Sequence, residues 1–114
     1  MISLSAKLIN IAIQLRIKKH VSSPQYLVAH LRKVASFPIP VPLPACLTKK
    51  SDTIAGVPGT WIEAEDPTMT LLYFHGGAFI AGDIATYYHF AGELAKRLKA
   101  RVFLVDYRLA PEHP

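Results

Sequence analysis

A glycine-containing loop directly follows a short apolar run. The loop reads His-Gly-Gly-Ala-Phe over His75–Phe79, and the run before it is Leu71–Phe74. Glycines after a buried strand leave backbone N–H groups uncovered, and rigid N–H donors stabilise the negative charge that forms on a carbonyl oxygen during acyl transfer by about 3 kcal/mol each. We therefore predict amide donors at Gly76 and Gly77, and a further donor at Ala78, whose methyl group leaves the N–H in place. An ordinary tight turn is the alternative interpretation.

A second motif follows the next apolar run, Val102–Val105, and reads Asp-Tyr-Arg-Leu-Ala-Pro-Glu-His-Pro over Asp106–Pro114. Together with the His75–Phe79 loop and the Gly-Asp pair at residues 82–83, it resembles the hormone-sensitive-lipase-like family of α/β-hydrolases. That family carries a His-Gly-Gly-Gly loop and, one βα unit later, a Tyr-Arg-Leu-Ala-Pro-Glu-His-Pro stretch. The resemblance is close over residues 70–114 and looser over the Val57-Pro58-Gly59 hairpin.

The resemblance implies a fold and an activity. The fold class is α/β, a partial α/β-hydrolase fold with N-terminal cap helices, a hairpin and then a βαβ unit of a mostly parallel sheet. The activity is hydrolysis of carboxylic esters, of the esterase or lipase type, by a Ser-His-Asp/Glu mechanism. We expect a small-molecule ester as substrate, with no cofactor and no bound metal.

The resemblance also implies roles for the residues of the first loop. The oxyanion hole would consist of the amides of Gly76, Gly77 and Ala78. His75 would orient the loop by packing and hydrogen bonding, and would not act as the general base. The chain departs from the family at Ala78, which stands where the family has its third loop glycine, so the backbone angle there must be one that a Cβ atom tolerates.

The resemblance also gives the second motif a structural role near the site. There, Arg108 and Glu112 would hold the loop in place through charge-assisted hydrogen bonds. Asp106 and His113 could suggest a catalytic triad, but both lie in one loop with no serine nearby. The resemblance implies instead that the acid and base lie later in the chain.

The serine nucleophile of the family has no counterpart in this sequence. None of the six serines lies in a Gly-x-Ser-x-Gly pattern, which forms the strand-to-helix turn that exposes the nucleophile. We therefore expect an N-terminal fragment of such a hydrolase, inactive as an esterase by itself. Two alternatives remain open: a non-catalytic ligand-binding homologue on the same fold, and a membrane-surface or interaction protein that acts through its N-terminal helix.

Composition and charge narrow the class of protein. A chain of 114 residues that is 51% hydrophobic forms one domain at most, and its single cysteine, Cys46, excludes an internal disulfide. Residues 1–51 contain eight Lys and Arg and no acid, whereas the net charge of the whole chain is +5. We expect a cytoplasmic protein whose basic segment is either a solvated helix face or a contact with an anionic membrane surface. No nucleic-acid partner is expected, because no binding motif accompanies the basic residues.

The hydrophobic periodicity predicts the elements that hold these motifs. Helices are expected over Met1–His20 and from a Ser22-Ser23-Pro24 start to Phe37, the first amphipathic with a wide apolar face and the second capped by a serine hydroxyl. Alternating prolines between residues 38 and 44 predict an extended strap. We assign residues 1–45 to cap-like helices and strap, and residues 46–114 to the N-terminal part of the hydrolase domain.

The second half of the chain reads as strands around one helix. A hairpin is expected from strands Leu47–Ile54 and Gly59–Glu63, with a turn over residues 55–58 and with Trp61 as an anchor into the core. The apolar strands Thr70–Phe74 and Val102–Val105 flank a helix over Thr86–Lys99. We expect Phe90, Leu94 and Leu98 to share one face of that helix, and the two strands to be parallel and covered on both faces.

Overall fold

The computed structural model describes residues 3–18, 23–36 and 42–114. These residues form three α-helices and four β-strands. The elements are α1 (Leu4–Lys18), α2 (Pro24–Ala35), β1 (Leu47–Ile54), β2 (Val57–Ala64), β3 (Met69–Phe74), α3 (Tyr88–Leu98) and β4 (Ala100–Val105), with one 3₁₀ turn at Ala85–Tyr87 before α3. The predicted elements are therefore present wherever the structure describes them.

The four strands form one mixed sheet in the order β1-β2-β4-β3. The β1–β2 and β2–β4 pairs are antiparallel, and β3 and β4 are parallel, with Leu72 opposite Phe103. The predicted βαβ unit is confirmed, with α3 as its crossover helix. This topology places the carboxyl ends of β3 and β4, and hence both motifs, at the same edge of the sheet.

The hairpin between β1 and β2 has a shorter turn than predicted. Ala55 and Gly56 are the two turn residues, with φ of 50° and 81°, and Ile54 pairs with Val57. Positive φ at both central positions is the type I′ geometry, whose twist matches that of the flanking strands. The expected turn over residues 55–58 is therefore wrong by two residues, because Val57 and Pro58 already belong to the strand.

Helix α3 packs against the sheet mainly through its small residues. Its buried positions are Ala91, Gly92 and Ala95, whereas Phe90 and Leu98 are 49% and 46% exposed. Of the three residues predicted to share one face, Phe90, Leu94 and Leu98, only Leu94 packs against the buried core. Small side chains allow close approach of the helix to the strands, where the core is built from Ile62, Val102 and Leu104.

The opposite face of the sheet is open where β3 lies. Trp61 packs against Phe103 with ring centroids 4.8 Å apart, but it is half-buried and its indole N–H donates to Asp52. Leu72 and Phe74 are 63% and 61% exposed. Trp61 thus contacts the core through Phe103, as predicted. The expectation of strands covered on both faces is correct for β4, where Val102–Val105 are all buried, and wrong for β3 within the part of the chain described.

The N-terminal helices differ in how they contact the rest of the chain. Each residue of α1 whose exposure is described is exposed, including large aliphatic ones. Helix α2 begins with Pro24 after Ser23, as predicted, but the Ser23 hydroxyl makes no capping hydrogen bond. Ser22 and the start of the proline strap, through Val41, lie outside the described residues. Within the described ranges, no helix is long and apolar enough to cross a membrane.

Candidate active site

The loop after β3 turns sharply at three successive residues. Gly77, Ala78 and Phe79 have φ of 142°, 54° and 61°, all in the region that favours glycine. The carbonyl oxygen of Gly77 accepts hydrogen bonds from the amides of Ile80 at 3.1 Å and Ala81 at 3.0 Å. A side chain on Gly77 would overlap the Ala81 carbonyl, so only glycine fits the turn at this position.

Three consecutive amides of this loop have no acceptor among the residues that the structure describes. Within the described part of the chain, the N–H groups of Gly76, Gly77 and Ala78 donate to no backbone or side-chain oxygen. Because native backbone N–H groups are nearly all paired with protein, water or ligand, a run of three unpaired donors is chemically available. The positive φ of Ala78 shows that the missing third glycine leaves the backbone in a glycine-like conformation.

The side chain of His75 is enclosed by the loop and by two tyrosines. It is 5% exposed, and its ring stacks on Tyr107 with centroids 4.4 Å apart and on Tyr87 with centroids 5.8 Å apart. Its Nδ1 lies 3.0 Å from the Gly76 carbonyl oxygen. A carbonyl is only an acceptor, so Nδ1 must carry the proton for this contact to be a hydrogen bond.

The second motif is hydrogen-bonded to the first. The Tyr107 hydroxyl donates to the His75 carbonyl oxygen at 2.5 Å, and the Ala110 amide donates to the Phe79 carbonyl oxygen at 2.9 Å. Burial and, to a smaller extent, the nearby Tyr87 raise the pKa of Tyr107 above its ordinary value. The phenol therefore keeps the proton that it donates. The two motifs therefore form a single structural unit at this edge of the sheet.

Arg32 of α2 joins both motifs and was not identified from the sequence. Its Nε donates to the Ile80 carbonyl oxygen and one terminal nitrogen to the Ala110 carbonyl oxygen, each at 2.9 Å. Its guanidinium also makes a two-bond ion pair with Glu112, at 2.9 Å and 2.6 Å. The prediction that Arg108 and Glu112 hold the loop is half wrong. Glu112 does so through Arg32, while Arg108 is exposed and makes no hydrogen bond within the described ranges.

Asp83 fixes the end of the loop where the chain enters the 3₁₀ turn. One carboxylate oxygen accepts from the Thr86 amide at 2.8 Å and from the Thr86 hydroxyl at 3.0 Å. Burial alone would raise the pKa of Asp83, but hydrogen bonds from Thr86, Ser36 and the Ala85 backbone lower it below its ordinary value.

A cavity of about 520 Å³ lies beside the second motif, between the hairpin turn and residues 106–108. Its lining includes Pro58, Asp106, Tyr107 and His113. Among the described residues, no cluster of three histidine, cysteine or acidic side chains could hold a metal ion. The chemically available groups at this edge are thus backbone amides and the side chains of the second motif.

The segment that contains both motifs is similar to known proteins. The model of the α/β-hydrolase fold family matches residues 71–114. An esterase of Acinetobacter venetianus is 44% identical over 62 residues, which is 54% of this chain and 20% of that protein. Esterase LipI of Mycobacterium tuberculosis is 50% identical over 52 residues, 46% of this chain and 16% of that protein. The chain therefore spans a fifth or less of the length of these two relatives.

Solved structures extend the likeness beyond the matched segment. The hormone-sensitive-lipase homologue EstE7, from a metagenome library, superposes with a TM-score of 0.63 at 27% identity, covering 92% of this chain and 35% of the other. The chain therefore has a partial α/β-hydrolase fold, and it is similar to proteins that are esterases and lipases.

Proposed function

We propose that this chain supplies the oxyanion-stabilising loop of a carboxylic ester hydrolase. The observation that carries the proposal is the run of three amides, at Gly76, Gly77 and Ala78, that find no acceptor in the described ranges and lie at the end of a parallel strand. Fixed N–H groups stabilise a developing oxyanion best when the surrounding structure has already oriented them. His75 serves this loop as an orienting residue, because its buried ring contacts the loop and Tyr107.

The proposed reaction is acyl transfer through a serine ester. A serine oxygen attacks the acyl carbonyl and gives its proton to a histidine, which passes it to the departing alcohol; water then releases the acid by the reverse steps. In each tetrahedral intermediate, the loop amides would bind the negatively charged oxygen. None of the six serines here lies in the required Gly-x-Ser-x-Gly pattern. We therefore assign the nucleophile, base and acid to a longer protein of the relatives' size, and expect no turnover by these 114 residues.

Binding of a carboxylate to the loop amides tests the proposal directly. Butyrate carries its charge on an oxygen next to a short acyl chain and so resembles the oxyanion. Titrated into the ¹⁵N-labelled 114-residue chain, it should move the amide resonances of Gly76, Gly77 and Ala78 saturably, while the exposed turn amide of Gly56 serves as an internal control. Equal, non-saturating shifts at the loop and at Gly56 would refute the proposed role.

An activity assay tests the second half of the proposal. The purified chain should hydrolyse p-nitrophenyl butyrate no faster than buffer does. Turnover well above that background would show that the residues present here suffice for catalysis. In the longer protein, an intact serine, histidine and acid would favour the enzyme, and a replaced histidine would favour the non-catalytic ligand-binding homologue.

A second candidate function is contact with an anionic membrane surface through α1. Six large aliphatic residues of this helix are 50–75% exposed, and residues 1–51 contain no acid. Exposed aliphatic side chains with a basic background favour anionic lipid. Flotation with phosphatidylserine vesicles, compared between the full chain and a variant lacking residues 1–20, tests this candidate; equal flotation of both proteins would exclude it.

A further inference from the structure

The geometry of the peptide bond links each free amide of the loop to the carbonyl before it. In a trans peptide, the C=O of one residue and the N–H of the next lie in one plane and point in opposite directions. A hydrogen bond that fixes the carbonyl oxygen on one side therefore aims the N–H on the other. The direction of the Gly76, Gly77 and Ala78 amides thus depends on what holds the carbonyls of the three preceding residues.

All three of those carbonyls are held. The His75 carbonyl accepts from the Tyr107 hydroxyl at 2.5 Å. The Gly76 carbonyl accepts from His75 Nδ1 at 3.0 Å and from the Tyr87 hydroxyl at 3.4 Å. The Gly77 carbonyl accepts from two amides of its own turn. Each of these N–H groups therefore belongs to a peptide group that is anchored at its opposite end, the first by Tyr107 and the second by His75 together with Tyr87.

The two tyrosines are themselves fixed by packing. Their rings both stack on His75, with interplanar angles of 19° for Tyr107 and 24° for Tyr87. Tyr87 ends the 3₁₀ turn that Asp83 stabilises, and Tyr107 follows β4 in the second motif. The hydroxyls thus reach the loop from two separate elements, which restricts rotation of the His75–Gly76 and Gly76–Gly77 peptide planes.

We propose that Tyr107 and Tyr87 are positioning residues that aim the N–H groups of Gly76 and Gly77 by holding the carbonyl oxygens of the preceding peptide bonds. The hydrogen bonds that hold the carbonyl oxygens do not depend on what the loop binds. The inference rests on the proposed function only for the identity of the ligand that the two amides bind. The hydrogen bond from Tyr107, at 2.5 Å, is shorter than the one from Tyr87, at 3.4 Å, so we expect removal of the Tyr107 hydroxyl to have the larger effect.

Removal of single hydroxyl groups tests the proposal in the full 114-residue chain. Tyr107→Phe and Tyr87→Phe keep both rings and delete only the donors. Tyr73→Phe is the matched control, since Tyr73 also contacts the Tyr87 ring but its hydroxyl makes no hydrogen bond among the described residues. The readouts are the ¹³C chemical shifts of the His75 and Gly76 carbonyls, the N–H dipolar couplings of Gly76 and Gly77, and the affinity of the loop for butyrate.

We expect Tyr107→Phe to shift the His75 carbonyl upfield, to change the Gly76 dipolar coupling and to weaken butyrate binding about fivefold to tenfold, the effect of one lost hydrogen bond. Tyr87→Phe should produce smaller changes at the Gly76 carbonyl and the Gly77 amide, and Tyr73→Phe none at either. A loss of general stability alone would leave the carbonyl shifts and couplings of the folded state unmoved.

The readouts separate failure of this inference from failure of the proposed function. Unchanged carbonyl shifts and couplings in both variants would overturn the positioning role, whether or not butyrate binds. Changed shifts without any butyrate binding to the unsubstituted chain would uphold the positioning role and refute the proposed ligand. If Tyr107→Phe does not fold, Tyr87→Phe decides the same question at the Gly76 carbonyl.

Discussion

Arg32 and Glu112 form a two-bond ion pair between residues eighty positions apart, at 2.9 Å and 2.6 Å. The arginine belongs to α2, and the glutamate lies in the second motif. The same guanidinium donates to the carbonyl oxygen of Ile80, directly after the first motif, and to that of Ala110 in the second. A single side chain of the N-terminal helix thus holds together the two loops that make up the candidate site.

Replacement of Arg32 by lysine should loosen the contact between the two motifs. Lysine keeps the charge but lacks the planar fork that serves a carboxylate and two carbonyls at once. We expect the Ala110 amide, which donates to Phe79, to exchange with deuterium about fivefold to tenfold faster in Arg32→Lys. Hydrogen exchange followed by NMR measures this rate.

Arg97→Lys is the matched control for that experiment. Arg97 pairs with Glu93 one helical turn away and is 78% exposed, and exposed pairs of this kind contribute little to stability. Exchange at Ala110 should be unchanged in this variant. An equal effect of both substitutions would mean that the faster exchange does not come from the contacts of Arg32 with the loops.

The ion pair should also determine how Glu112 titrates. The hydrogen bond from Arg32 is the main cause that lowers the pKa of Glu112 from its ordinary 4.5 to about 2. Because the pKa is lower in the folded state than in the unfolded state, the stabilisation is complete above pH 4.5 and is lost as the pH falls towards 2. In Arg32→Gln, the midpoint seen in the ¹³C resonance of the Glu112 carboxyl should return towards 4.5. An unchanged midpoint would show that the pair does not form in solution.

Local sequence patterns were sufficient to predict most of the strands and the βαβ unit. Strands β3 and β4 are short apolar runs bounded by turn residues, and β1 was predicted to the residue. The inner face of α3 was missed because Ala91, Gly92 and Ala95 contribute little to hydrophobic periodicity. Periodicity gives weight to large residues such as Phe90, which the structure leaves exposed.

The residues that hold the loops of the candidate site in place could not be predicted from local sequence patterns. Arg32 and Glu112 are brought together only by the fold, and no local pattern marks a residue whose partners lie 48 to 80 positions away. The tyrosine hydroxyls at residues 87 and 107 bind backbone carbonyls, which every residue has, so no complementary side chain identifies the contact. The motif residues were recognisable, whereas those that orient them required the three-dimensional arrangement.

Substitution of Ala78 by glycine should stabilise the chain. Ala78 has a φ of 54°, a left-handed conformation that costs a residue with a Cβ atom about 1–2 kcal/mol. Glycine removes that cost but adds chain entropy to the unfolded state, so we expect a net gain of up to about 1 kcal/mol. Urea unfolding measures it. As a control, Ala95→Gly in the middle of α3 should destabilise by about 1 kcal/mol. Destabilisation by Ala78→Gly would contradict the positive φ.

Gly76 and Gly77 should respond very differently to the same added methyl group. At Gly77, with a φ of 142°, a Cβ atom would overlap the backbone carbonyl of Ala81, which cannot move without opening the turn. At Gly76, the nearest atom is the Tyr87 hydroxyl, 3.3 Å away at the end of a side chain. We therefore expect Gly77→Ala to destabilise the fold by about 2 kcal/mol or more, with loss of the Ile80 and Ala81 hydrogen bonds. Gly76→Ala should cost less than about 1 kcal/mol, and equal losses in urea unfolding would show that the turn is not built as described.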